Sequence, residues 1–118
     1  MNIAVDFDGT VTMNNCYPKI DNIRPYVKEV INKLREKGHK LYLWTCRQNK
    51  ELEDAIEFLN DNEIYFDGYN RCDYEFGNRK MIAELYIDDR SYPIREIDWL
   101  EIYEYITNEK FQEKNKWV

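Results

Sequence analysis

Ile3, Ala4 and Val5 form a short, wholly apolar run that stops abruptly at Asp6-Phe7-Asp8-Gly9. A run this brief, with no polar alternation, suits a strand buried on both faces, the kind found inside parallel sheets. The segment Asn2 to Phe7 is therefore read as a central strand, and Asp8-Gly9 as the turn that ends it. A strand buried on both sides obliges the rest of the chain to cover it.

The remaining pattern supplies the pieces. Thr12 to Ile23 reads as irregular, with Asn14-Asn15 and Pro18. Pro25 suits the first turn of a helix whose apolar residues Val27, Val30, Ile31 and Leu34 fall on one face. Gly38 is positioned to end it. Leu41 to Thr45 reads as a second strand, Asn49 to Leu59 as a second helix, and Ile64 to Phe66 as a third short strand. Ala83 to Ile87 reads as a fourth strand ending in Asp88-Asp89. Trp99 to Ile106 reads as a last helix capped by Asp98. Strands alternating with helices over short crossovers predict an α/β fold, a three-layer α/β/α Rossmann-like sandwich with a central parallel sheet. The length, 118 residues, suits a single domain over residues 1–118.

Charge and composition narrow the function. The net charge of −6 argues against nonspecific nucleic-acid binding, which needs a basic footprint. It leaves a phosphorylated substrate open, because a bound metal and a few cations can reverse the potential locally. The three cysteines, Cys16, Cys46 and Cys72, have no paired spacing and read as free thiols in a reducing compartment. No signal peptide or membrane-spanning run is visible, so a cytoplasmic location without membrane attachment is expected.

In an open parallel sheet, ligands bind beyond the carboxyl ends of the strands. Three strands here end in chemically useful groups: Asp6-Phe7-Asp8, Thr45-Cys46-Arg47 and Asp88-Asp89. Carboxylates brought together from Asp6, Asp8, Asp88 and Asp89 repel unless a cation neutralises them, which describes a hard-cation site best suited to Mg²⁺. A carboxylate can also attack phosphorus, and a second one can protonate the leaving oxygen. Phosphoryl oxygens need donors and positive charge. Backbone groups of Gly9 and Thr10, the Thr45 hydroxyl, and Arg47 and Lys80 are candidates, and Cys46 lies beside them with no catalytic role assigned.

Val5 to Thr12, reading VDFDGTVT, resembles the first signature of the haloacid dehalogenase superfamily of phosphohydrolases, an apolar strand followed by D-x-D-G-T-x-T. Thr45 resembles the second signature, Lys80 the third, and Tyr86 to Asp89 (YIDD) the fourth. Their order matches across roughly Ile3 to Arg90. The resemblance implies a Mg²⁺-dependent phosphatase that hydrolyses a phosphomonoester through an aspartyl-phosphate. Asp6 would be the nucleophile and a metal ligand, and Asp8 the general acid and base with its backbone carbonyl on the metal. Thr45 would bind the phosphoryl group and Lys80 would neutralise it. Asp88 would ligate the metal; Asp89 would do so directly, through water, or would pair with Lys80. The intervals Val11 to Lys40 and Arg47 to Arg79 leave no room for a cap domain, so a capless site is expected, covered by a loop or another subunit if at all.

Thr45-x-Arg47 further resembles members acting on nucleotide or polynucleotide phosphates, with Arg47 touching the substrate or forming a structural ion pair. Arg71, Tyr74, Phe76 and Arg79 form a candidate substrate-facing wall. The substrate could be a small molecule, a nucleotide or a macromolecular end. Phosphotransfer to another acceptor, and phosphate binding without turnover, are the competing readings.

Overall fold

The computed structural model describes residues 1–70, 83–91 and 96–108. Four parallel strands form one sheet: β1 (Asn2–Val5), β2 (Lys40–Leu43), β3 (Gly68–Tyr69) and β4 (Leu85–Ile87), in the order β3-β2-β1-β4. Helix α1 (Val27–Glu36) joins β1 to β2, α2 (Asn49–Asp61) joins β2 to β3, and α3 (Trp99–Thr107) follows β4. This is the Rossmann-like α/β arrangement, and neither described interval, β1 to β2 or β2 to β3, holds a cap domain.

Strand alternation divides the side chains between the two faces. Ile3, Val5, Leu41 and Leu43 are buried in one cluster with Val27, Val30, Ile31 and Leu34 of α1, Ala55 and Leu59 of α2, and Trp99 and Ile106 of α3. Ala4 and Tyr42 point the other way, packed by Trp44, Ala83 and Tyr86. All three described helices thus serve the first face. A second helical layer is not among the described residues.

Several boundaries differ from those the sequence suggests. Ile64 and Phe66 are buried and Tyr65 between them is exposed, but Ile64 to Phe66 is not the third strand. The Ile64 N–H closes α2 on the Leu59 carbonyl at 2.9 Å, so pairing with β2 starts later, at Gly68 opposite Tyr42. Asp67 makes the transition: its N–H donates to Leu41 O, while its carboxylate accepts from the Leu41 N–H at 2.8 Å and from Arg35. Helix α1 begins at Val27 rather than at Pro25, because Tyr26 takes a left-handed conformation (φ 67°) at its cap. Strand β1 stops at Val5, two residues early. The Phe7 carbonyl turns to accept from the N–H groups of Thr10, Val11 and Thr12. The excursion from Thr12 to Ile23 is less irregular than its composition suggests, being closed by an antiparallel bridge between those two residues. Asp98 caps α3, accepting from the N–H groups of Leu100 and Glu101.

Trp99 links this framework to the loop after β1. Its indole N–H donates to the Thr10 carbonyl at 3.0 Å in a buried setting. Trp99→Phe should therefore cost about 2–3 kcal/mol, from the orphaned carbonyl and the lost volume. Chemical denaturation at pH 7 checks this.

Candidate active site

Parallel register assembles the site. Val5 lies opposite both Leu43 and Ile87, and the Asp6 N–H donates to Ile87 O at 2.9 Å. Asp6, the residue that follows β1, is thereby set beside Asp88, the residue that follows β4. Carboxylate oxygens of Asp6, Asp88 and Asp89 all lie within 4.8 Å of one another. Among the described residues no lysine or arginine forms an ion pair with any of them.

Burial and this crowding together raise the proton affinities. The Asp6 carboxyl is pushed up from 3.8 to about 7, first by burial, then by the negative charge of Asp88, with Asp89 adding to it. Hydrogen bonds from the Thr10 hydroxyl and the Phe7 N–H oppose the rise. Asp89 is also raised, by burial first and then by its hydrogen bond with Asp88 and the charge there. Three hard oxygen donors from two adjacent strand ends, destabilised as anions by one another, fit a divalent cation that would neutralise them.

The loop after β1 is held from behind. The Thr10 hydroxyl donates to Asp6 Oδ2 at 3.2 Å and accepts from the Asp89 N–H at 3.0 Å, so one side chain ties the two strand ends together. Gly9 has φ 83°, and a Cβ there would sit 2.4 Å from the Asp89 carboxylate. Only glycine lets that carboxylate approach. Arg24 is buried and donates to Gly9 O through both Nε and Nη2, to Met13 O, and to Ile97 O.

Two expectations about substrate contacts do not match this geometry. The N–H groups of Gly9 and Thr10 face inward: Gly9 donates to Thr12 Oγ1 at 3.0 Å and Thr10 to Phe7 O at 3.2 Å. The tight turn that follows β1 uses them for its own closure. Arg47 does not point into the site either. It is 1% exposed, and its side-chain N–H groups go to Asp8 Oδ1 and Oδ2 and to the carbonyls of Pro18, Lys19 and Glu51. Of the two readings weighed for it, the ion pair is the one seen. Asp8 consequently has its carboxylate in an arginine fork, apart from the three-carboxylate cluster.

Thr45 lies half-buried at the end of β2, and its hydroxyl oxygen accepts from the Arg47 N–H at 3.2 Å. Cys46 is exposed beside it, and Cys16 and Cys46 are both free thiols. Lys80, Cys72 and the wall of Arg71, Tyr74, Phe76 and Arg79 lie outside the described residues. Sequence reasoning missed Asn70. Its Oδ1 accepts from the Thr45 N–H at 2.8 Å, its Nδ2 donates to Arg47 O, and its φ is 54°. The tolerance of asparagine for left-handed backbone was the available signal. Arg24 and Trp99 were also missed, and nothing local distinguishes them from an ordinary arginine and an ordinary core aromatic.

Over residues 3–114 the sequence matches the haloacid dehalogenase-like hydrolases, and the chain belongs to that family. It is a hydrolase of this type, and metal use is general among its members. A solved structure of a conserved protein from Bacteroides thetaiotaomicron is similar at 35% identity and a TM-score of 0.83, covering 100% of this chain and 98% of that one. No curated protein matches the sequence.

Asp6 makes stability pH-dependent in the metal-free protein. Between its ordinary value and about 7 the folded chain holds a proton that the unfolded chain has released. That contribution is complete below pH ~4 and is lost as pH rises through 7. In chelator, the wild-type melting temperature should fall between pH 5 and 8 relative to Asp6→Asn, by on the order of 2–3 kcal/mol of stability. At pH 8, Asp88→Asn should raise the wild-type midpoint by roughly 4 °C through relief of repulsion. Scanning calorimetry across the pH series reads both.

Proposed function

We propose that this chain is a Mg²⁺-dependent phosphatase that hydrolyses a phosphomonoester through an aspartyl-phosphate on Asp6. The observation that carries the reading is the convergence of Asp6, Asp88 and Asp89 within 4.8 Å, with Asp8 two residues beyond the first. Asp6, Asp88 and Asp89, with the Asp8 carbonyl, would hold the cation. Its chemistry there would be charge neutralisation, keeping Asp6 ionised and shielding the phosphoryl oxygens.

The chain's own groups then have distinct tasks. An Asp6 carboxylate oxygen attacks phosphorus, forming an O–P bond as the bond to the leaving oxygen breaks. The Asp8 carboxyl gives its proton to that leaving oxygen. In the second half, Asp8 takes a proton from water as the water oxygen bonds to phosphorus and the Asp6–phosphorus bond breaks, releasing phosphate. The Thr10 hydroxyl, bonded to Asp6 Oδ2, directs the second carboxylate oxygen. The hydroxyl of Thr45, oriented by the Arg47 N–H, and Lys80 would receive the phosphoryl oxygens.

The partner is a phosphorylated substrate: a small molecule, a nucleotide or a macromolecular end. A capless arrangement supports access for large substrates, and a further subunit could cover the site. Among the described residues no helix is long and apolar enough to cross a membrane. The free thiols of Cys16 and Cys46 support a reducing, cytoplasmic setting.

Purified protein should release phosphate from 4-nitrophenyl phosphate and from members of a phosphomonoester panel with Mg²⁺, and lose that activity in chelator. Asp6→Asn should reduce kcat by roughly three orders of magnitude or more. Undiminished turnover in that variant would exclude the covalent route. Trapping the phosphorylated chain by acid quench and mass spectrometry tests the intermediate directly.

A further inference from the structure

We propose that Arg47 is the positioning residue for Asp8, holding its carboxyl in the direction from which it reaches the leaving oxygen and tying that direction to the Cys16–Lys19 loop. The assignment rests on the phosphatase reading above.

The geometry is specific. Arg47 Nε donates to Asp8 Oδ2 and Nη2 to Asp8 Oδ1, both at 2.8 Å, so a planar fork grips both oxygens. A two-point grip fixes the orientation of the carboxyl plane, which a single contact leaves free. The guanidinium is itself immobilised. Its carbon lies 5.3 Å from the centroid of Phe7, in the core, and 5.1 Å from that of Tyr17, on the surface. Its remaining N–H groups go to Pro18 O at 3.2 Å, Lys19 O at 2.9 Å and Glu51 O at 3.3 Å.

Each group an arginine can donate is therefore engaged by the protein, which leaves none for a substrate phosphate. A buried ion pair is also a poor stabilising device, since desolvation offsets most of its attraction. What this pair supplies is direction. Because the same guanidinium binds two loop carbonyls, displacement of the loop displaces the grip on Asp8.

A purely structural arginine and a positioning arginine differ in which substrates suffer. A proton donor matters for an alkyl phosphate, whose leaving oxygen departs poorly as an anion, and little for 4-nitrophenyl phosphate. The value of kcat/KM covers events through the first phosphorus–oxygen cleavage, so its alkyl-to-aryl ratio isolates proton donation from later hydrolysis. Full-length protein with Mg²⁺ is assayed on 4-nitrophenyl phosphate and 2-phenylethyl phosphate. Arg47→Lys, which keeps the charge and loses the fork, should lower the ratio roughly tenfold, and Asp8→Asn roughly a hundredfold. Adding Arg47→Lys to Asp8→Asn should leave the ratio where Asp8→Asn put it. Tyr17→Ala removes an exposed ring from the outer face of the guanidinium and should lower the ratio about threefold. It keeps the test decisive if Arg47→Lys does not fold.

An unmoved or raised ratio in Arg47→Lys and in Tyr17→Ala overturns the assignment. So does an equal loss on both esters, or a ratio that falls further in the double variant. If the wild-type protein turns over neither ester, the phosphatase reading fails and the assignment with it. Wild-type turnover with an unmoved ratio removes the Arg47 assignment alone.

Discussion

Everything chemical in this protein depends on the register of β1 between its two neighbours. Val5 is held opposite Leu43 on one side and Ile87 on the other, and the Asp6 N–H continues the ladder to β4. A slip of one residue would exchange the faces of the strand, sending Asp6 toward the apolar cluster and Val5 toward the site. The register is secured because Ile3, Val5, Leu41 and Leu43 must all reach the same buried cluster. Hydrophobic burial on one face thus sets the positions of carboxylates at the end of the sheet.

That placement creates its own electrostatic problem. Asp6, Asp88 and Asp89 are drawn together at the end of the sheet, and burial first, then their mutual repulsion, raises the proton affinity of Asp6. The fold tolerates this because the surrounding backbone is held by uncharged and internally neutralised partners. Thr10 bridges Asp6 and the Asp89 N–H; Arg24 and Trp99 hold the carbonyls of Gly9 and Thr10. Among the described residues the two buried arginines serve the loops, and so the cluster stays available to an incoming cation. Pre-organisation of this kind lets a site act without rearranging its own dipoles during the reaction.

Much of this was legible in the chain. The apolar face of α1, the Asp98 cap of α3 and the alternation of strands and helices all follow from local pattern. So did the meeting of Asp6 with Asp88 and Asp89, since strand ends in a parallel sheet converge by topology. Less legible was where each strand begins. Ile64 to Phe66 has the composition of a strand, yet its first N–H finds a closer acceptor at the end of α2. The fate of the Gly9 and Thr10 N–H groups was likewise hidden, because turn closure after Phe7 competes for the same donors that a phosphate could use.

The sequence by itself determined the fold class, the family signature and the identity of the acidic residues, because these rest on short-range pattern and on the order of motifs. Only the tertiary structure decided what the arginines do. Arg47 lies two residues after Thr45 and reads locally as a substrate contact or an ion-pair partner alike, and its partners are Asp8, Pro18, Lys19 and Glu51, three of them supplied by segments that return from elsewhere in the fold. A long side chain can select among all acceptors within its reach. Which of them are within reach is set by packing, and packing is not a local property of the chain.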